Sequence, residues 1–115
     1  LVTDALPYAA DDRQLFKDPN IIIEDGVCKL SDRSALAGSI ATSDILIRTM
    51  VKAGISLGDA LRMASETPAR IMGIYNQKGA LQKNKDADIV IMDKDLKVRA
   101  VWQMGNLIEE TNTLF

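Results

Sequence analysis

The sequence predicts an α/β chain built from two unlike pieces: a stretch of a larger α/β body, then strands that belong to a separate small sheet. Three observations carry this reading. Leu1-Val2-Thr3 reads as the end of a buried strand that runs into Asp4 and then into the turn Ala5-Leu6-Pro7. Helical spacing of apolar residues fills the middle of the chain, from Thr42 to Gly73. From Gly79 onward the apolar period falls to two, which is the period of strands. A helical block followed by an all-β finish divides naturally into two structural pieces, residues 1–78 and 79–115.

Each element has a local cause. Residues 8–19 are polar and irregular, with Asp11-Asp12 and Asp18-Pro19 marking loop or turn. Asn20–Glu24 and Val27–Leu30 are β-prone runs flanking Asp25-Gly26, a dipeptide suited to the positive φ angles of a type I′ hairpin turn. Residues 31–41 form a second loop. A helix begins near Thr42 or Ser43, either of which can cap it, with Ile45, Leu46, Met50 and Val51 on one face and Gly54 after its end. Ser56 opens a second helix with Asp59 three residues on, a variant capping box, and Ala60, Leu61, Met63 and Ala64 form its buried side. Thr67-Pro68 starts a third, with Thr67 as cap and proline in the first turn, and Gly73 closes it. Ala87–Asp93 and Val98–Met104 are strands, and Gly105-Asn106 turns the chain into Leu107-Ile108-Glu109 before a frayed tail.

Composition excludes several functions. Fourteen basic and sixteen acidic residues are interspersed, leaving a net charge of -2 and no basic stripe, so nucleic acid is not an expected partner. Aromatic residues make up 4%, too few for the stacking platforms of single-strand binders. No apolar run approaches the roughly 20 residues that span a bilayer, and no signal peptide is visible. The single cysteine, Cys28, cannot form an internal disulfide, which fits a reducing, cytoplasmic setting. It lies in an alternating strand pattern, where a small buried apolar role is expected rather than a nucleophile. There is no histidine, so this chain alone cannot build the common zinc sites. Beginning in mid-strand without an initiator methionine, it reads as a C-terminal piece of something longer.

Two motifs carry a resemblance. Gly79-Ala-Leu-Gln-Lys-Asn-Lys-Asp-Ala-Asp-Ile-Val-Ile-Met-Asp93 resembles the C-terminal signature of the amidohydrolase superfamily, and Thr67–Gly73 resembles the helix that precedes it there. Their own roles are structural: cap, helix start, turn and strand. Three further pieces narrow the resemblance: Leu1–Ala5, then Leu36-Ala37-Gly38-Ser39, then Gly54–Leu57 with Ala60–Ser65. In this order and spacing they resemble the N-acetylglucosamine-6-phosphate deacetylases, and Arg99–Trp102 suits that family's closing strands.

That resemblance implies the end of a (β/α)₈ barrel for residues 1–78 and strands of a small β-sandwich domain for residues 79–115. It implies metal-assisted hydrolysis of the N-acetyl group of an amino-sugar phosphate. Asp4, at the end of the last barrel strand, would be the catalytic acid/base, and Leu36, Ala37, Gly38 and Ser39 the substrate-binding loop. The divalent metal, zinc, iron or similar, would be held by residues upstream of this chain, so no metal ligand is expected here. The resemblance further implies a homodimer and no membrane partner. Taken locally, Asp4 reads better as capping a turn and the Leu36–Ser39 segment as an ordinary loop before a helix; the matched flanks reverse both readings. Two departures stand out: Asn84 occupies a position where the family generally has glycine, and Tyr8–Asp12 lacks the family's glycine-containing run. Another amidohydrolase, such as a cyclic-amide hydrolase or nucleobase deaminase, and a non-catalytic structural or oligomerising fragment are the alternatives.

Overall fold

Asp25-Gly26 folds as its sequence demands. In the computed structural model, which describes residues 1–10 and 18–110, Asp25 and Gly26 take φ of 52° and 75°. They join β1 (Ile21–Glu24) to β2 (Val27–Leu30) as a two-residue antiparallel hairpin with Glu24 opposite Val27. Before it, Pro7–Ala10 form a short 3₁₀ turn. Part of the polar loop expected over residues 8–19, and the tail expected to fray, lie outside the described residues.

Three helices follow, with caps that are largely legible. The first, α1, spans Ser43–Lys52. It ends in a Schellman arrangement: the Gly54 N–H donates to the Val51 carbonyl, and the Ile55 N–H to that of Met50. The second, α2, spans Leu57–Ala64 and is capped by Ser56, whose Oγ accepts from the Asp59 N–H at 3.1 Å while its hydroxyl donates to the Asp59 carboxylate at 2.7 Å. The third, α3, covers Glu66–Ile71. Its N-cap position is Ser65, two residues before the expected Thr67. Pro68 is therefore the third helical residue, still among the first four whose N–H groups have no intrahelical partner, so the ring removes no bond. Gly73 and Ile74 repeat the Schellman pattern on Arg70 and Ala69.

The closing sheet has the order β3-β4-β5, all antiparallel, from Ile89–Met92, Val98–Gln103 and Asn106–Glu110. Gln103 pairs with Asn106, so the turn is Met104-Gly105, one residue earlier than expected. Met104 and Gly105 have φ of 50° and 80°, the geometry that matches the twist of the strands on either side. Between the Ile91–Ala100 and Met92–Val98 pairs, Arg99 is the extra residue of a β-bulge.

The chain resolves into two compact units, Val2–Leu46 and Ile47–Phe115 with Leu1. In the second, the buried residues are Ile47, Ala60, Ala69 and Ala100; in the first, Cys28. Helical spacing identified the stripes but not their deepest positions: Ile45 and Leu61, expected inside, are 40% exposed, and Ile47 is the buried residue of α1. The expected strand at Leu1–Thr3 is absent. A strand exists only through a neighbour, and among the described residues none pairs with that triplet. The first β contact is the isolated parallel bridge between Ala5 and Ser39.

Candidate functional site

The residues singled out in the sequence converge within the first unit. Segment 35–40 is stitched to two neighbours in turn. The Leu30 N–H donates to the Ala35 carbonyl and the Ala37 N–H to that of Cys28, so Leu36 extends the hairpin beside Lys29. Two residues later the same segment crosses to the chain start. The Ser39 N–H donates to the Asp4 carbonyl and the Leu6 N–H to the Ser39 carbonyl, both at 2.9 Å. The Ser39 hydroxyl donates to the Thr3 carbonyl at 2.7 Å and its Oγ accepts from the Ala41 N–H at 3.0 Å.

Gly38 makes this approach possible. Its φ is +69°, and a Cβ there would lie 2.9 Å from Leu6 Cγ and 3.0 Å from the Asp4 carbonyl oxygen. An alanine would be both strained and crowded. Asp4 itself is held at φ 48°, in the left-handed region that aspartate tolerates better than most residues. It is exposed, and among the described residues no partner engages its carboxylate.

Beside this crossing lies an open, mostly apolar hollow of about 470 Å³, lined in part by Val27, Cys28, Leu36, Gly38, Ile40 and Ile45, with Ser39 at its wall. The sequence marked Leu36, Gly38 and Ser39 as site residues. It placed Val27 and Cys28 in a strand and Ile45 in a helix core. The signal that could have joined them is the β2 alternation, in which Val27 is exposed and Cys28 fully buried. Burial pushes the Cys28 thiol above its ordinary range, so it stays protonated and unreactive near neutrality, as expected of a packing residue. At the same hairpin, Arg33 forks onto Glu24 through Nη2–Oε1 at 2.6 Å and Nε–Oε2 at 3.2 Å, holding that carboxyl below its usual range.

The chain's own residues do not fit a metal site. It contains no histidine, and among the described residues no three His, Cys, Asp or Glu side chains converge. What the arrangement offers is one exposed carboxylate on an anchored backbone, next to a loop of closely approached main chain. Such a group can move a proton to or from a bound molecule.

The motifs of the second unit serve structure, as expected. Asp88 accepts from the Met104 N–H at 2.8 Å and pairs with Lys78, while the Ala87 carbonyl takes the Gly105 N–H. Lys78, followed by the Met104 N–H, holds the Asp88 carboxyl low. Asp93 accepts from the Asp95 and Lys97 N–H groups and from the Arg99 guanidinium. The Lys97 N–H, then Arg99, lowers its pKa. Gly79, at φ +88°, would place a Cβ 2.6 Å from that of buried Ala69, so the glycine of one motif is matched to the alanine of the other. Asn84 takes φ 73°, a left-handed value that asparagine tolerates.

Comparison with known proteins agrees with these motifs. Residues 8–110 match the amidohydrolase family. The chain is 34% identical over 111 residues to the rat N-acetylglucosamine-6-phosphate deacetylase, covering 94% of this chain and 27% of that enzyme. It is also 34% identical over 110 residues to the N-acetylgalactosamine-6-phosphate deacetylase of Escherichia coli O157:H7, covering 93% and 29%. The crystal structure of the Pasteurella multocida N-acetylglucosamine-6-phosphate deacetylase superposes with a TM-score of 0.78 at 25% identity, over 93% of this chain and 29% of that one. The chain thus spans little more than a quarter of the length of these relatives. With a match that runs through almost every described residue, the chain belongs to the amidohydrolase family.

Proposed function

We propose that this chain is the C-terminal part of a metal-dependent deacetylase that hydrolyses N-acetylglucosamine 6-phosphate to glucosamine 6-phosphate and acetate. The observation that carries this reading is the state of Asp4: its backbone is anchored, while its carboxylate is exposed and without a partner among the described residues. In this reading Asp4 takes a proton from the attacking water as the water oxygen bonds to the acetyl carbon. It returns that proton to the sugar nitrogen as the C–N bond breaks. The sugar is contacted from the Leu36–Ser39 segment, through Leu36 and the main chain beside it. The full-length protein supplies a divalent metal through residues outside these 115. Residues 1–78 close its barrel, and residues 79–115 belong to its small β-sandwich. A cytoplasmic homodimer completes the proposal. No helix among the described residues is long and apolar enough to cross a membrane.

One observation favours a second substrate. A relative named for the N-acetylgalactosamine phosphate is as similar as those named for the glucosamine epimer. Acetate release by the full-length protein, measured on both 6-phosphates, decides between them. A higher kcat/KM on the glucosamine epimer supports the proposal. Preference for the galactosamine epimer replaces the substrate, and no release from either rejects the deacetylase reading. The isolated 115 residues should release no acetate, because a lone carboxylate without metal ligands does not generate a hydroxide nucleophile at neutral pH.

A further inference from the structure

We infer that Ser39 is a positioning residue for Asp4 rather than a substrate contact. The inference deepens the deacetylase reading, on which it rests for its kinetic test. The direction in which a side chain leaves the backbone is set by the two peptide planes on either side of its Cα. For Asp4 those planes carry the Thr3 carbonyl and the Asp4 carbonyl. Ser39 holds both: its hydroxyl donates to the first at 2.7 Å and its N–H to the second at 2.9 Å. A third bond, from the Leu6 N–H to the Ser39 carbonyl, fixes the chain just beyond. With both planes held, φ of Asp4 is kept at 48°, in the left-handed region that aspartate tolerates but does not prefer.

The hydroxyl has no proton left for another partner. Its one proton goes to Thr3, and its oxygen accepts from the Ala41 N–H at 3.0 Å. A substrate hydroxyl or phosphate oxygen asking Ser39 for a proton would have to displace the Thr3 bond. Gly38 completes the device, since any Cβ there meets Leu6 Cγ and the Asp4 carbonyl and would push the two segments apart. Substrate contact is left to the neighbouring main chain and to Leu36, which is 72% exposed.

The experiment uses the full-length protein with Ser39→Ala and Ser39→Thr, read by steady-state acetate release and by crystal structures of the variants. Ser39→Ala should lower kcat about ten- to a hundredfold, the scale of a misplacement near 1 Å, with KM changed less than about threefold. Ser39→Thr, which keeps the hydroxyl, should restore most of kcat. In the Ser39→Ala structure, φ of Asp4 should leave the left-handed region. A raised KM with kcat unchanged would make Ser39 a substrate contact and overturn the inference. So would unchanged kinetics with the Asp4 backbone in place. If Ser39→Ala does not fold, the near-isosteric Ser39→Cys should show the same kcat-selective loss at smaller size. If the wild-type protein deacetylates neither sugar phosphate, the deacetylase reading fails, and the φ of Asp4 in the variant structures still decides the positioning role.

Discussion

Gly38 and Gly79 do the same physical job in the two halves of the molecule, and the difference lies in what each brings close. Both have positive φ, and at both a Cβ would come within 3 Å of another side chain. Gly79 seats a turn on α3, in a unit where Asp88 and Asp93 are each engaged by backbone N–H groups and a cation. Gly38 seats a loop on the segment carrying Asp4, whose carboxylate is left without a partner among the described residues. Asp88 and Asp93 are consumed by the fold. At Asp4 the fold anchors the backbone instead and leaves the acid available. An aspartate with saturated acceptors is structural; one held only through its main chain is a candidate for chemistry.

The largest effect that would break this contrast is at Asp4. In the full-length protein, Asp4→Asn should lower kcat by about 10²–10⁴ while leaving substrate affinity within a few fold, measured by acetate release and ligand titration. Turnover near the wild-type rate would make Asp4 one more turn residue. Next come the two glycines. Gly79→Ala and Gly38→Ala should each destabilise by about 2–4 kcal/mol, from the unfavourable φ together with overpacking, as read in denaturant titrations. Only Gly38→Ala should also depress kcat of the folded fraction, and equal kinetic losses in both would erase the distinction between the units.

The acid response gives a smaller signal. The carboxyls of Asp88 and Asp93 have folded-state pKa values below their unfolded ones. The stability they contribute is fully present above the unfolded pKa of about 4 and is lost as pH falls through the folded values. Melting temperature should therefore drop below about pH 4, and Asp93→Asn should flatten that drop. An unchanged acid limb in the variant would show that the Asp93 network is not what titrates. The smallest effect concerns the two hairpins. Asp25-Gly26 already carries residues suited to a type I′ turn, whereas Met104, 68% exposed at φ 50°, does not. Met104→Asn should raise stability by about 0.5 kcal/mol, visible as a small upward shift in melting temperature.

Much of this molecule was readable where cause is local. The Asp25-Gly26 turn, the Ser56 cap with Asp59, the Gly54 and Gly73 helix ends and the β-period after Gly79 each depend on a few neighbouring residues, and each is observed. Errors arose where a distant partner decides. The strand at Leu1–Thr3 needs a neighbour to pair with, and the N-cap of α3 falls at Ser65 rather than Thr67 because Pro68 lies among the first four N–H positions in either register. The buried face of α1 centres on Ile47 because a 3.6-residue stripe does not say which of its edges lies deepest. At the candidate site, the motif Leu36–Ser39 and the acid Asp4 were both visible in sequence. Their hydrogen-bonded crossing was not, because it links residues up to 36 positions apart, mostly through main-chain groups that every residue possesses.

The buried thiol beneath β2 has a practical consequence. Cys28 is the sole cysteine, has no accessible surface, and is held in its protonated form by burial. A thiol-directed alkylating reagent can therefore modify Cys28 only during moments when a local opening exposes its sulfur. The rate of mass gain at that single sulfur becomes a clock for local opening around β2, readable without any engineered label.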